Sequence, residues 1–441
     1  MSLYANTFNA LELTELFSDR YAVAMLLKVE AELAKAQASE GIIPEAAAKI
    51  IADCCVVDAM DINSLKTDVV LGGNVAIPLV KQLTKIIKNR DFEASKYVHL
   101  GATSQDIIDT ATILTTKDYL EWMEAKLKAL QQVLVQTTKD HVKTIMIGRT
   151  LLQQAKPMTF GVKTAGWLES CSRNLSRLGH LKENLYSIQL GGAVGSGNAH
   201  ITTEVQEKMA DALGLQPAFP WQSQRDSLND FASFLGIVSG SLGKMAKDIS
   251  LLMQTEVAEV FEGAAEGKGG SSTMPHKRNP VSCALILSNA TRTPGLVATM
   301  LGAMPQEHER SAGLWHAEWE TLSTLMQLTA GALEKSVDLI ANLEVDKERM
   351  LQNIEITNGL IYAEKVSLQL SKSIGKMQAH ESVKKACHLA MQQQKQLKEV
   401  VQEMHPQLEN LDALFLPENA IGNSVEWVEK VLRKYNTEFD D

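Results

Sequence analysis

One short segment of the chain concentrates side chains that could carry out acid–base chemistry. Residues 270–280 read Gly-Ser-Ser-Thr-Met-Pro-His-Lys-Arg-Asn-Pro and follow a glycine-rich stretch. Ser271 and Ser272 supply hydroxyl groups that can give up or return a proton. Lys277 adds a full positive charge, and Asn279 adds a side-chain amide. Together these groups predict a loop that binds an anion and transfers a proton, which an ordinary Ser/Gly-rich linker would not need.

A helix is predicted directly after this loop. The apolar run 281–301 supplies its buried side chains. Asn279 suits the N-cap, and Pro280 suits the first helical position because its missing N–H costs nothing there. The free N–H groups and the positive end of the helix dipole would then face the loop. We therefore expect a carboxylate-binding site at the N-terminus of this helix.

Several segments of the chain resemble the fumarase/aspartase superfamily. Residues 270–279 match every fixed position of its signature, G-S-S-x-M-P-x-K-x-N. Residues 99–111 resemble its first active-site segment, residues 148–157 its second, and residues 415–422 its C-terminal turn. The resemblance implies an all-α fold, a fumarase/aspartase-type long-helix bundle with smaller N- and C-terminal helical domains. It also implies a homotetramer in which each active site combines the three segments from three different subunits.

Long helices are expected to position these segments. Helices with long apolar faces cannot bury those faces alone, which favours a bundle. Apolar residues recur at helical spacing over about 111–143, 160–190, 231–257 and 322–343. We place domain limits near Thr110 and Asn358. They define an N-terminal helical domain of short helices and loops (1–110) with the first segment, a central long-helix bundle (111–358) with the second segment and the signature loop, and a C-terminal helical domain (359–441).

The resemblance assigns roles to the signature loop. In the family a base removes, or an acid returns, the proton on the carbon beside a carboxylate, which becomes a doubly negative aci-carboxylate. Ser271 corresponds to this acid–base residue, and Lys277 with the helix N-terminus would stabilise the negative charge. Ser272 and Asn279 would hold the same carboxylate.

Other polar side chains are candidates for binding the remaining carboxylates of a substrate. Thr103 and Ser104 offer hydroxyl groups, and Arg149 with Thr150 could bind a carboxylate as a fork and a cap. His99 is either a structural group or a substrate contact. The predicted substrate contacts are His99, Thr103, Ser104, Arg149, Thr150, Gln153, Gln154, Ser272, Asn279 and Arg310.

Three further charged residues lie near these segments. Asp106 and Asp109 lie in the first segment and are expected to brace its turn, because a carboxylate would repel an anionic substrate. Arg225 is a further candidate cation for a substrate carboxylate.

One departure from the family pattern indicates the reaction. Relatives such as adenylosuccinate and argininosuccinate lyases carry a histidine after the Arg-Thr pair, and in adenylosuccinate lyases it serves the leaving group. Here that position is Leu151, and Gln153 and Gln154 follow it; none of the three is an acid. An amine or alkoxide leaving group needs a proton, whereas a carboxylate does not. The departure therefore favours lactone formation, in which a carboxylate oxygen is the nucleophile or the leaving group.

The lactonising branch of the superfamily, which cyclises 3-carboxy-cis,cis-muconate in the catabolism of aromatic compounds, fits this prediction. Residues 220–226 and 313–319 also resemble that branch. It implies a small tricarboxylate substrate, and we expect neither a metal nor an organic cofactor. One alternative is adenylosuccinate lyase or another fumarate-releasing lyase, for which His141 and His200 are present but outside the expected segment. The other is a catalytically silent helical scaffold.

Composition limits the partners and the compartment. The chain has 43 Lys and Arg against 53 Asp and Glu, a formal net charge of −10 and no dense basic run, which argues against nucleic-acid binding. No apolar run approaches the ~20 residues that span a bilayer, and the first residues lack the parts of a secretion signal. Five scattered cysteines are typical of free thiols. We expect a cytoplasmic protein without nucleic-acid or membrane partners.

Overall fold

Helices account for most of the described secondary structure. The computed structural model describes residues 3–264, 270, 274 and 277–435. Its strands pair as two antiparallel two-stranded sheets: β1 (Ile145–Thr150) with β2 (Gln153–Thr159), and β3 (Val260–Phe261) with β4 (Glu344–Val345). Its α-helices, in chain order, are α1 (Ala5–Phe8), α2 (Asp19–Ser39), α3 (Glu45–Cys54), α4 (Ile62–Gly72), α5 (Ala76–Arg90), α6 (Ser104–Asp140), α7 (Phe160–Leu185), α8 (Thr203–Leu213), α9 (Asp226–Leu252), α10 (Val281–Ala303), α11 (Leu314–Ala341), α12 (Lys347–Glu355), α13 (Ala363–Ile374), α14 (Lys376–Gln393), α15 (Leu397–Met404), α16 (Leu411–Leu414) and α17 (Ser424–Arg433).

The longest helices lie where the sequence predicted them. Helices α6, α7, α9, α10 and α11 run for 23 to 37 residues each, which confirms an all-α chain built on long helices. In α9, Phe231, Leu235 and Val238 recur at three- and four-residue spacing and are fully buried. Removing each of these side chains from water contributes about 1.5–3 kcal/mol to folding. None of the described helices is long and apolar enough to cross a membrane.

Helix α9 ends earlier than its apolar spacing indicated. The spacing extended to Val257, but the helix ends at Leu252. Ala258 adopts a left-handed φ of +52°, and the N–H of Glu259 donates to the carbonyl oxygen of Leu252 at 2.9 Å. The chain therefore turns back on itself here, and Val257 belongs to the turn and not to the helix.

The N-terminal region contains a long helix that the sequence analysis did not predict. Residues 1–110 were expected to hold short helices and loops, but α2 runs for 21 residues. Ser18 caps it, because its Oγ accepts a hydrogen bond from the N–H of Tyr21 at 3.0 Å. Its buried face includes the polar residues Glu30 and Gln37. These residues interrupt the apolar spacing, which is why that spacing did not indicate a helix of this length.

Helix α10 begins one residue later than predicted. The carbonyl oxygen of Pro280 accepts the first helical hydrogen bond, from the N–H of Ala284 at 2.9 Å, and the first helical residue is Val281. Pro280 therefore occupies the N-cap position. The prediction that Asn279 caps this helix was wrong by one residue.

The chain divides into two compact units. The first consists of Met1–Leu127, Asn174–Leu242 and Ser288–Glu334, and in it α2 packs against α3 and α8. The second consists of Lys128–Arg173, Gly243–Leu287 and Lys335–Asp441; there β1 packs against α12, and α13 packs against α14. These units alternate along the sequence, so the domain limits near residues 110 and 358 stay predictions.

Candidate active site

The first active-site segment leads into the N-terminus of α6. The buried carboxylate of Asp106 accepts hydrogen bonds from the backbone N–H groups of Thr103 (3.0 Å), Gly191 (3.0 Å) and Gly192 (2.9 Å). It also accepts one from the side-chain amide of Gln189 at 3.1 Å. Burial raises the pKa of Asp106, and the four hydrogen bonds oppose this shift because they stabilise the anion. Asp106 thus braces the turn, as the sequence analysis expected.

Thr103 and Arg310 lie together at this end of α6. Nη2 of Arg310 donates to Oγ1 of Thr103 at 2.7 Å and to the carbonyl oxygen of Ala193 at 3.2 Å. The Arg310 side chain is exposed, and Ser104, the first residue of α6, is partly exposed. A guanidinium beside a hydroxyl group at a helix N-terminus can bind a carboxylate through charge-assisted hydrogen bonds. The fold brings two of the predicted contacts together, and their binding to a substrate stays a prediction.

His99 lies at the start of the same segment, held by a residue that the sequence analysis missed. Its Nδ1 lies 2.6 Å from Oε1 of Glu30, a buried carboxylate of α2. Burial by itself lowers the pKa of His99, but the charge and hydrogen bond of Glu30 and the charge of Asp106 raise it above its ordinary value. Glu30 lies one helical turn after Leu26 and Leu27 on the apolar face of α2. A charged residue in such a position is a signal that could have identified it.

The second active-site segment forms the hairpin β1–β2. Thr150 pairs with Gln153, so the turn consists only of Leu151 and Leu152. Their φ values are +48° and +66°, the two left-handed values of a type I′ turn. Their side chains are 97% and 79% exposed. The predicted contacts Thr150, Gln153 and Gln154 therefore adjoin an exposed apolar tip that contains no acid.

Arg149, on the first strand of this hairpin, binds a carboxylate of the chain itself. Its Nη1 and Nη2 donate to Oε2 and Oε1 of the buried Glu259 at 2.9 and 2.6 Å. Nδ2 of Asn353 also donates to Glu259 at 2.8 Å, and the carbonyl oxygen of Asn353 accepts from Nε2 of Gln154 at 2.9 Å. The guanidinium of Arg149, which was predicted to bind a substrate carboxylate, thus binds Glu259. The hydrogen bonds of Arg149 and Gln154 hold both strands of the hairpin. A substrate contact by Arg149 stays a prediction.

Only part of the signature loop belongs to the described residues. The predicted acid–base residue Ser271 and its neighbour Ser272 lie outside them. Lys277 is exposed, and its backbone N–H donates to the carbonyl oxygen of Met274 at 3.0 Å. Asn279 is partly buried just before α10. The roles of Lys277 and Asn279 in binding a substrate stay predictions.

The N-terminus of α10 is capped from within the chain. The carboxylate of Glu262, only 5% exposed, accepts hydrogen bonds from the backbone N–H groups of Ser282 at 3.0 Å and Cys283 at 2.8 Å. The prediction that the N–H groups at this helix end are free for a substrate was therefore wrong for these two. An acidic side chain from upstream of the loop already occupies the positive end of the helix.

Arg225 lies in a buried charge cluster. Its Nη1 lies 2.6 Å from Oδ2 of Asp109 and its Nη2 2.5 Å from Oε2 of Glu318, and the three side chains are at most 3% exposed. Nε1 of Trp315 also donates to Asp109 at 3.0 Å. The expectation that Arg225 binds a substrate carboxylate was wrong, because two carboxylates of the chain already bind its guanidinium. Asp109 binds Arg225 and Trp315, so the expectation that it braces the turn of the first segment stays a prediction.

The predicted site residues divide between the two compact units. His99, Thr103, Ser104 and Arg310 belong to the first unit. In the part of the chain that the structure describes, no group of three or more His, Cys, Asp and Glu side chains could hold a metal ion. The second unit contributes Arg149, Thr150, Gln153, Gln154, Lys277 and Asn279.

The fold and the site motifs define a class of protein. A family model described as lyase matches residues 7–295, and a second, described as adenylosuccinate lyase C-terminus, matches residues 359–431. The chain therefore belongs to this lyase family, the fumarase/aspartase superfamily that its motifs resemble.

Two similar proteins in this family carry the same name. A 3-carboxy-cis,cis-muconate cycloisomerase from Acinetobacter baylyi is 45% identical over 444 residues, which cover 98% of each chain. One from Pseudomonas aeruginosa is 45% identical over 442 residues and covers 98% of this chain and 96% of the relative. The crystal structure of the 3-carboxy-cis,cis-muconate lactonizing enzyme from Pseudomonas putida has a TM-score of 0.94 at 44% identity, covering 99% of both chains. This likeness confirms the predicted long-helix fold.

Proposed function

We propose that the chain is a cycloisomerase that converts 3-carboxy-cis,cis-muconate into a carboxymuconolactone. The observation that carries the proposal is the tip of hairpin β1–β2, where Leu151 and Leu152 stand at a position that needs an acid in lyases with an amine leaving group. Relatives that carry the name of this activity are 45% identical over nearly the whole chain, which supports the same reaction here. Assigning the activity from these relatives rests on the site as well as on the fold, because the motif segments lie within the matched length.

The proposed reaction is an intramolecular addition. One carboxylate oxygen of the substrate forms a C–O bond to a carbon of the conjugated double bond. The π electrons move to the carbon beside another carboxylate, which becomes a doubly negative aci-carboxylate. Lys277 and Asn279 stabilise this charge, and Ser271 delivers a proton to the carbon. No group leaves the substrate, so the reaction needs no acid at the position of Leu151.

Three carboxylates on the substrate account for several cationic and donor groups in an acidic protein. Arg310 with Thr103 and Ser104 binds one carboxylate, since the guanidinium and a hydroxyl group already lie within 2.7 Å of each other. Lys277, with Asn279 and Ser272, binds the carboxylate that becomes doubly negative. His99 and the polar residues beside the hairpin tip, Thr150, Gln153 and Gln154, are the remaining contacts.

The proposal includes a homotetramer with shared active sites, as the family architecture implies. Helix α10 contains 23 residues with a single charged side chain, Arg292, and it exposes Val281 (37%) and Leu301 (49%). A helix with so few charged residues is normally covered, and a second copy of the chain would cover it. Sedimentation of the purified protein should give four subunits, and a stable monomer would contradict this assignment.

The proposed location is the cytoplasm. All five cysteines, Cys54, Cys55, Cys171, Cys283 and Cys387, are free thiols in the structure. Free thiols in every position are typical of proteins that stay in a reducing compartment. Recovery of the native protein in the cytoplasmic fraction of its host would agree with this location, and recovery outside the cell would contradict it.

Ultraviolet absorbance tests the proposed reaction. Purified protein should remove the conjugated diene signal of 3-carboxy-cis,cis-muconate at the same rate with and without a metal chelator. Adenylosuccinate is the matched control, because an adenylosuccinate lyase would release fumarate from it. Fumarate release without turnover of the muconate would assign the chain to the rival lyases. Turnover of neither compound would favour the silent scaffold.

A further inference from the structure

Helix α2 carries two buried polar side chains on one face. Glu30 and Gln37 lie two helical turns apart and are 1% and 0% exposed. Burying a carboxylate costs free energy unless a charged or hydrogen-bonding partner compensates for the loss of water. Glu30 belongs to none of the sequence motifs, so its partner is the best indication of its role.

Both side chains hold the beginning of the first active-site segment. Oε1 of Glu30 lies 2.6 Å from Nδ1 of His99. Nε2 of Gln37 donates to the carbonyl oxygens of Leu100 and His200 at 2.8 and 2.9 Å. His99 itself has a φ of +56°, a left-handed conformation that a residue other than glycine keeps only when its surroundings impose it. Helix α2 therefore fixes the ring of His99 and the peptide that follows it.

The ion pair leaves the other ring nitrogen of His99 available. Among the described residues Nε2 has no hydrogen-bond partner, and the side chain is 18% exposed. Asp106 of α6 adds a second negative charge near the ring. Burial and the charge of Glu30 raise the pKa of the thiol of Cys55, the residue after α3, so this thiol stays neutral. These surroundings favour the doubly protonated imidazole.

We propose that Glu30 is a positioning residue for substrate binding: its ion pair orients the imidazole of His99 and keeps it doubly protonated, so that the Nε2–H group donates to a carboxylate of the substrate. The inference rests on the proposed function, because His99 meets a substrate only if the first segment belongs to the active site. It goes further by giving His99 a charge state and a cause for it. A cationic His99 supplies a third positive group for a tricarboxylate, in addition to Lys277 and Arg310.

Titration of His99 tests its charge state directly. Full-length protein labelled with carbon-13 at the histidine Cε1 is followed by NMR from about pH 5 to about pH 9, and His99→Gln assigns the resonance. In the unaltered protein the midpoint should lie above the ordinary value of about 6.5. Glu30→Gln keeps the size of the side chain and removes its charge, so the midpoint should fall because desolvation then dominates. An unchanged midpoint in Glu30→Gln would overturn the proposal.

Kinetics separates positioning from a general structural role. At a pH between the His99 midpoints of the two proteins, Glu30→Gln should raise KM for the tricarboxylate about tenfold, since a charge-assisted hydrogen bond is replaced by a neutral one, and should leave kcat within about twofold. The affinity should recover as the pH falls through the lowered midpoint. Glu32→Gln is the matched control, because it removes the same charge from the same helix, where Glu32 pairs with Lys35 at 2.7 Å. Equal losses at every pH would overturn the proposal.

A non-reacting probe separates failure of this inference from failure of the proposed function, and it needs no folded Glu30 variant. Tricarballylate, which has three carboxylates and no double bond, should shift the His99 resonance of the unaltered protein and raise its midpoint. If tricarballylate shifts the resonance but the protein does not cyclise the muconate, the role of His99 is supported and the proposed function is refuted. If the protein cyclises the muconate but tricarballylate leaves the His99 resonance unaffected, the proposed role of His99 and Glu30 is refuted.

Discussion

Replacing both leucines at the tip of hairpin β1–β2 should make the protein more stable and less active. Leu151 and Leu152 have φ values of +48° and +66°, in a turn type that prefers Asn-Gly. Each left-handed non-glycine residue costs about 1–2 kcal/mol, and asparagine tolerates the conformation better than leucine does. The two leucines occupy this strained turn although they are 97% and 79% exposed. Because burial of these side chains does not compensate for the strain, we infer that the leucines are present for a functional reason.

The magnitude follows from the backbone conformation. Leu151→Asn and Leu152→Gly together remove about 2–3 kcal/mol of strain. The added glycine offsets about 1 kcal/mol of this, because it widens the unfolded ensemble. The free energy of unfolding should therefore rise by about 1–2 kcal/mol, measured as a higher midpoint of urea unfolding at an unchanged m-value. If this functional reason is contact of the apolar tip with the substrate, the kcat/KM for the muconate should fall at least about tenfold in the double variant.

Gln394→Gly is the matched control for this double variant. Gln394 is the exposed C-cap of α14 and has a left-handed φ of +53°. The substitution should relieve the same kind of strain and leave turnover unchanged. A double variant at the hairpin tip that is more stable and fully active would refute the assignment of the leucines to the site. A double variant that is less stable than the parent would refute the strain argument.

Three single substitutions test other parts of the account. Ser271→Ala should lower turnover by orders of magnitude with little change in urea unfolding, and near-normal turnover would remove Ser271 from proton transfer. Leu151→His should not accelerate lactonisation, because no leaving group needs a proton; a large gain in rate would contradict that reasoning. Arg149→Lys should lower the free energy of unfolding by about 1–3 kcal/mol, since lysine cannot make both hydrogen bonds to Glu259. Unchanged urea unfolding would show that this pair adds nothing to stability.

Periodic and local patterns in the sequence predicted the long helices and the bracing role of Asp106. Pairs that form only on folding were not predictable in this way. Glu30 and His99 are 69 residues apart, and Arg149 and Glu259 are 110 residues apart, so no local window contains both partners. The sequence identified His99 and Arg149 as substrate contacts, because the motifs contain them and do not contain the carboxylates that hold them.

Two local features escaped prediction for different physical reasons. The hairpin tip has Leu151 and Leu152 in place of the Asn-Gly pair that usually indicates a two-residue turn, so the sequence did not predict the hairpin. At the start of α10, the N-cap rules ranked Asn279 above Pro280, but the cap depends on Glu262, which lies 20 residues before Ser282 and reaches the helix only in the folded chain. In both places tertiary structure decides a conformation that local preference would not select.

Proton NMR of the reaction in D2O tests the central claim most directly. The account predicts that 3-carboxy-cis,cis-muconate is converted into a lactone carrying one solvent deuteron on the carbon beside a carboxylate, and that no fumarate forms. The single deuteron follows from proton delivery to that carbon after the carboxylate oxygen has added. Release of fumarate, a lactone without solvent deuterium, or recovery of unchanged muconate would contradict the assignment of this chain as a cycloisomerase.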